Sequence, residues 1–214
     1  CKGAILEDNF ISKLPVIRKY IQIDEVIDVG SSSAENRHER TYVDYRGNTV
    51  IIKVGDSRRG WVDAYQATID AATDFDFDNK RPVHIHVDLS SIRPAGEKLK
   101  GFGGTSNPIK LRDLFYRVAE ILTAAVGRKL TAVECCLLID EAATVVVAGN
   151  IRRSAGMRQF SFDNQQANKA KDNLWQQDAE GNWKIDPKRD ALRMANHTRV
   201  YHKKPSLEEV TEAV

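Results

Sequence analysis

Along this chain the spacing of apolar residues switches between the two-residue repeat of a strand and the three-to-four-residue repeat of a helix, and the switches predict the elements. Residues 41–45 and 49–54 are rich in Val, Ile, Thr and Tyr and are joined by Arg46, Gly47 and Asn48, which predicts a β-hairpin. From residue 60 to 73, Trp61, Tyr65, Ile69 and Ala72 recur about one turn apart and predict a helix. Residues 83–89 alternate Val, Ile, Val and Leu with His84, His86 and Asp88, the pattern of a short strand. Residues 90–108 are a long Gly/Pro/Ser-rich loop. Leu111, Leu114, Phe115, Val118, Ile121 and Leu122 then form one stripe of a helix over residues 110–126, with Gly127 as its stop. A second helix is expected over residues 131–147, although the β-branched stretch 144–147 also fits a strand. A polar helix near residues 165–172, a turn at Glu180, Gly181 and Asn182, and a helix over residues 187–196 follow. Residues 10–29 mix apolar and basic side chains around Pro15, which bars a long helix, and residues 30–37 read as a polar loop. Hairpin first and helices later give a mixed α/β class.

Composition narrows the function classes. Apolar residues at 42% and charged residues at 29% are the balance of a globular chain, and 214 residues can bury a core without disulfides. A formal net charge of +2 excludes a polyanion binder driven by bulk charge, but not a local phosphate site. No apolar run nears the roughly 18 residues of a membrane span, and the first residues do not read as a signal peptide. Three cysteines, two of them adjacent, suit a reducing compartment rather than a disulfide framework.

Few segments could carry chemistry. Gly149-Asn150-Ile151-Arg152-Arg153-Ser154-Ala155-Gly156 places two guanidiniums and a hydroxyl between glycines. Arg forks match phosphate oxygens, and glycine lets backbone wrap closely; a solvated turn with two surface arginines is the alternative. In residues 98–108, Lys98, Lys100, Gly101, Gly103, Gly104, Thr105 and Ser106 could build an anion-cradling nest, or simply a loop leading into the next helix. Neither matches a P-loop or a dinucleotide fingerprint. Asp56 and Ser57 stand where a helix cap belongs. His84, His86 and Asp88 share a strand face, but no further ligand is spaced to complete a metal site, so none is expected. Cys135 and Cys136 read as core residues, and Glu134, Asp140 and Glu141 as helix-face charges. By themselves these residues point to phosphate or nucleotide handling without a visible reaction.

Four ordered segments resemble signatures of the adenosylcobalamin-dependent (class II) ribonucleotide reductases: Phe10-Ile11-Ser12-Lys13-Leu14-Pro15, Asp56-Ser57-Arg58-Arg59-Gly60-Trp61, the run from Asp88 to Thr105, and the run from Gly149 to Gln159. The monomeric, ribonucleoside-triphosphate type is the nearest resemblance. It implies that residues 1–214 are an internal fragment of an α/β catalytic domain. That fragment would be part of a ten-stranded α/β reductase barrel, with an α+β effector-binding insertion at residues 26–129. It implies adenosylcobalamin as cofactor, ribonucleoside triphosphates as substrates, deoxynucleoside triphosphates as allosteric effectors and a thioredoxin-type reductant. The parent would be a cytoplasmic monomer supplying deoxyribonucleotides for DNA replication, with no nucleic-acid or membrane partner. Gly149, Asn150, Ile151, Arg152, Arg153 and Ser154 would be the specificity loop between effector and substrate base. Lys100, Gly103, Gly104, Thr105 and Ser106 would be a phosphate-holding effector loop.

The sequence departs from the family where the reaction is performed. No Asn-Pro-Cys-Gly-Glu segment carries a radical cysteine, and Cys135 and Cys136 match neither partner of the redox pair. No catalytic residue and no metal ligand is therefore assigned, and most of the cobalamin site is expected elsewhere. The expectation is the regulatory middle of an enzyme. The alternatives are a stand-alone nucleotide-binding regulatory module, and a dimeric or iron-dependent reductase, against which the large insertion argues. Cys1 is expected to follow either an intein or a truncated reading frame.

Overall fold

The computed structural model describes residues 2–74, 76–77, 81–98, 106, 108–145 and 156–211. In chain order come β1 (Lys2–Ile5), the single turn α1 (Asp8–Ile11), β2 (Ile21–Ile27), β3 (Tyr42–Arg46), β4 (Thr49–Lys53) and α2 (Arg58–Thr73). They are followed by β5 (Val83–Asp88), α3 (Ile109–Ala124), α4 (Ala132–Thr144) and β6 (Gly156–Ser161). The last part holds α5 (Gln165–Asn168), β7 (Trp175–Gln177), β8 (Trp183–Ile185), a 3-10 turn at Asp190–Met194, β9 (Ala195–Val200) and α6 (Leu207–Thr211). Among the described residues no helix is long and apolar enough to cross a membrane.

The first sheet runs β2-β5-β4-β3, with β5 parallel to both neighbours and β3 antiparallel to β4. The predicted hairpin is β3–β4. Parallel β4 and β5 require a crossover, which α2 provides. Alternation sets the two faces: Val83, Ile85 and Val87 of β5 and Val50 and Ile52 of β4 are fully buried on the side of α2 and α3. Helix α2 meets the sheet through Ala64, Ala67, Thr68, Ala71 and Ala72, not through the larger residues of the predicted stripe; Trp61, Tyr65 and Ile69 are partly buried at its flanks. Small side chains let the axis approach closely. Its first turn is as tight: a Cβ on Gly60 would stand 2.5 Å from the Gly55 carbonyl oxygen, so only glycine fits there. Ser57 caps α2 by accepting from the Gly60 N–H at 2.9 Å, as its position predicts. On α3 the buried side is Leu111, Leu114, Phe115, Val118, Ala119 and Leu122, close to the expected stripe.

The second sheet, β1-β6-β9, is wholly parallel, and β7–β8 is a small antiparallel pair around the predicted turn at Gly181. The mixed α/β class stands. The ten-stranded barrel is not formed by these strands: three sheets of three, four and two strands are present among the described residues, and three parallel strands with unpaired edges cannot close.

Local pattern failed in four places. The helix expected over residues 187–196 is one 3-10 turn and the start of β9, because Ala195 pairs with Gly156 in the parallel ladder. The helix expected over residues 165–172 stops at Asn168, and the chain turns through Asn173 at φ 49°. The helix expected to reach residue 147 ends at Thr144, with Val145 at its C-cap; residues 146 and 147 lie outside the described residues. Strands β1, β2 and β6 gave no local signal, since each is specified by a partner distant in sequence.

Ile85→Ala should cost about 2–5 kcal/mol in urea unfolding, the range for opening a cavity in a closed core. Ile27→Ala, 42% exposed on the other face of the same sheet, should cost less than about 1 kcal/mol in that assay.

Candidate functional site

The loop after β5 is anchored at its stem. Arg93 donates through Nε and Nη2 to Asp56 Oδ2 at 2.9 and 2.8 Å, and its backbone N–H reaches Asp56 Oδ1 at 3.3 Å. Both side chains are largely buried, and this carboxylate, with its hydrogen bonds foremost, raises the Arg93 pKa further. Arg37 clamps Glu97 with bonds of 2.7 and 2.8 Å. Backbone bonds close the stem: Gly96 N–H donates to the Ser106 carbonyl at 2.9 Å, and Ser106 N–H donates to the Glu97 carbonyl at 2.7 Å. Ser106 is buried, its hydroxyl donating to the Arg93 carbonyl at 3.3 Å, so it serves the stem. Lys100, Gly103, Gly104 and Thr105 lie outside the described residues.

The second candidate segment, Gly149, Asn150, Ile151, Arg152, Arg153 and Ser154, also lies outside them. Its flanks are α4 and β6, joined by a buried ion pair between Asp140 and Arg158. Beside Arg158 on β9, His197 packs edge-on against Phe160. Burial, with Lys171 and Arg158 nearby, lowers its pKa to about 4.

The acids of α4 separate by partner. Glu134 completes a capping box with Thr131 and pairs with Arg128 at 2.6 Å, while Glu141 accepts from Arg117 of α3 at 2.6 Å. Cys135 and Cys136 are buried, and desolvation pushes their thiols up to about 11 and about 12, so neither is a nucleophile at neutral pH.

On the open face of the first sheet the structure joins residues that sequence spacing left apart. A bulge between Ile23 and Glu25 turns Asp24 toward β5, where its Oδ2 lies 2.9 Å from His84 Nδ1 and 3.5 Å from His86 Nε2. His86 Nδ1 is 3.8 Å from Glu25. No local signal announces this bulge. Among the described residues no three His, Cys, Asp or Glu side chains are arranged to hold a metal ion. The groove beside the cluster, about 400 Å³, is lined by Thr49, Ile51, Lys53, His86 and Asp88 among others, and is open to solvent.

A crystal structure of a B12-dependent (class II) ribonucleotide reductase superposes over 92% of this chain and 26% of its own, with TM-score 0.68 and 24% identity. The model of the family described as "B12-dependent ribonucleotide reductase, insertion domain" matches residues 14–122. The chain belongs to the B12-dependent ribonucleotide reductases, in the region of their insertion domain. Curated relatives include the adenosylcobalamin-dependent ribonucleoside-triphosphate reductases of Lactobacillus helveticus, 33% identical over 172 residues, and Levilactobacillus brevis, 34% identical over 163 residues. These matches cover 76% and 72% of this chain but 23% and 22% of the relatives, so the chain spans less than a quarter of their length.

Arg93→Ala should strip Asp56 of its fork and cost about 1–3 kcal/mol, the range for leaving a partly buried acceptor without its charged donor. Hydrogen exchange at the Gly96 and Ser106 amides should accelerate more than at Val87. For His197 the folded pKa near 4 lies below the ordinary 6.5, so the fold favours the neutral ring. That contribution is full above pH 6.5 and is lost as pH falls toward 4. His197→Gln should therefore narrow the difference between urea midpoints measured at pH 7 and pH 5.

Proposed function

We propose that this chain is part of an adenosylcobalamin-dependent ribonucleoside-triphosphate reductase and supplies its allosteric specificity region. The observation that carries the reading is the match of residues 14–122 to the insertion domain, which precedes α4 and the Arg152–Arg153 segment in the chain. The insertion, placed at residues 26–129, takes in the end of β2, then β3, β4, α2, β5 and α3. Residues 149–154 serve as the specificity loop that couples effector to substrate choice. Lys100, Gly103, Gly104, Thr105 and Ser106 serve as the phosphate-holding effector loop; beside it in the chain, Arg93 pairs with Asp56 and Arg37 with Glu97. The parent reduces ribonucleoside triphosphates, answers to deoxynucleoside triphosphates and takes electrons from a thioredoxin-type protein in the cytoplasm. The radical cysteine and the redox cysteines lie on other parts of the parent.

Support for a larger body comes from the β1-β6-β9 sheet. Parallel sheets are ordinarily covered on both faces, yet Ile5 is 52% and Met157 39% exposed, both on the face turned away from Arg158 and Phe160. This sheet belongs to the ten-stranded barrel of the parent. A stand-alone module would leave it uncovered.

Adenosylcobalamin, when bound, supplies the radical that starts the reduction. The grooves of about 400 and 340 Å³ on the described surface are open and far smaller than a corrin. Most of the cofactor site belongs to other parts of the parent.

In the intact reductase, Arg153→Ala should change which of the four substrates a given effector favours, removing much of a coupling of about 5–150-fold. Rates for all four substrates, with and without each effector, measure it. Equal loss across the four would leave Arg153 a simple phosphate holder and refute the specificity role.

A further inference from the structure

Helix α4 ends at Thr144 and β6 begins at Gly156, so both ends of the segment carrying Arg152 and Arg153 are set by these two elements. One side-chain pair ties them together. Asp140 lies one turn before the end of α4, and Arg158 two residues into β6; they are 0% and 2% exposed and bonded through Asp140 Oδ1 and Arg158 Nη2.

The guanidinium also folds back over its own strand. A Cβ built on Gly156 would stand 2.9 Å from Nη1 and 3.0 Å from Nη2, and Nη1 donates to the Met157 carbonyl at 3.1 Å. Glycine at 156 is thus the space the guanidinium needs, and Arg158 contacts both the end of one flank and the start of the other. Lys171 and His197 stand near Arg158, Lys171 donating to the Ala195 carbonyl and His197 kept neutral by burial.

A surface pair could form at many offsets. A buried one cannot, because desolvating two charges costs several kcal/mol per ion unless the contact is made well. A one-residue slip of β6 would also swing Arg158 to the other face of its sheet. The pair therefore fixes β6 in register against α4.

We propose that Arg158 and Asp140 are positioning residues for residues 146–155: the pair sets the spacing and register at which both ends of that segment leave the scaffold, and so carries the coupling between effector and substrate choice. This rests on reading residues 149–154 as the specificity loop.

Three variants of the intact reductase test it: Arg158→Lys, which keeps the charge but not the fork, the double variant Asp140→Leu/Arg158→Met, and Arg153→Ala. The double variant leaves no lone buried charge, and a cooperative melt checks that it folds. Each is assayed on the four ribonucleoside triphosphates with and without each deoxynucleoside triphosphate. Both pair variants are expected to reduce the effector-induced change in substrate ratio by about fivefold or more. A purely structural pair would slow every substrate by the same factor and leave the ratios where they were. If Arg153→Ala moves the ratios and the pair variants do not, the positioning role is overturned and the loop reading stands. If Arg153→Ala leaves them unmoved as well, the loop reading falls and this proposal with it.

Discussion

Strand β5 lies between two parallel partners, and that single placement dictates most of the first half of the molecule. A parallel neighbour cannot be reached by a tight turn, so the chain leaves β4, crosses as α2 and returns beside it. The alternation of β5 then divides its chemistry, with Val83, Ile85 and Val87 under the helices and His84, His86 and Asp88 on the open face. Because β4 and β5 run the same way, their C-terminal ends emerge at one edge. Asp56, three residues after β4, therefore meets Arg93, five residues after β5. The glycine-rich segment after Arg93 leaves from that edge, where open α/β sheets generally place their ligands.

Helix α4 does the corresponding work between the two sheets. Asp140 and Glu141 are adjacent and so point about 100° apart around the helix axis. One pairs with Arg158 of the parallel sheet, the other with Arg117 on α3, which covers the first sheet. Burial raises the Glu141 pKa although the arginine opposes it. Two consecutive carboxylates thus hold one helix against two bodies. The cysteines between Glu134 and this pair only fill space, their thiols kept protonated by burial.

The described residues flanking the two candidate segments are tied by largely buried ion pairs, Arg93–Asp56 beside one and Arg158–Asp140 beside the other. Binding residues on loops held by a firm scaffold are the common arrangement in α/β enzymes.

What the sequence determined by itself was whatever depends on neighbours in the chain. The β3–β4 hairpin, the Ser57 cap, the β5 alternation and the stripe of α3 are written in residues a few positions apart, and a hydrophobic period or a capping hydroxyl acts over that range. The family resemblance was legible for a similar reason, since glycines and arginines in fixed order survive without any knowledge of contacts. Tertiary structure alone decided the strands β1, β2, β6 and β9, because a parallel strand exists only once its partner has returned from a distant part of the chain. It alone joined Asp24 to His84 and His86, through a bulge no local pattern marks, and Arg158 to Asp140. In the sequence those last two are ordinary charges on a strand and a helix. They become a structural constraint only when burial removes the water that would otherwise satisfy each of them separately.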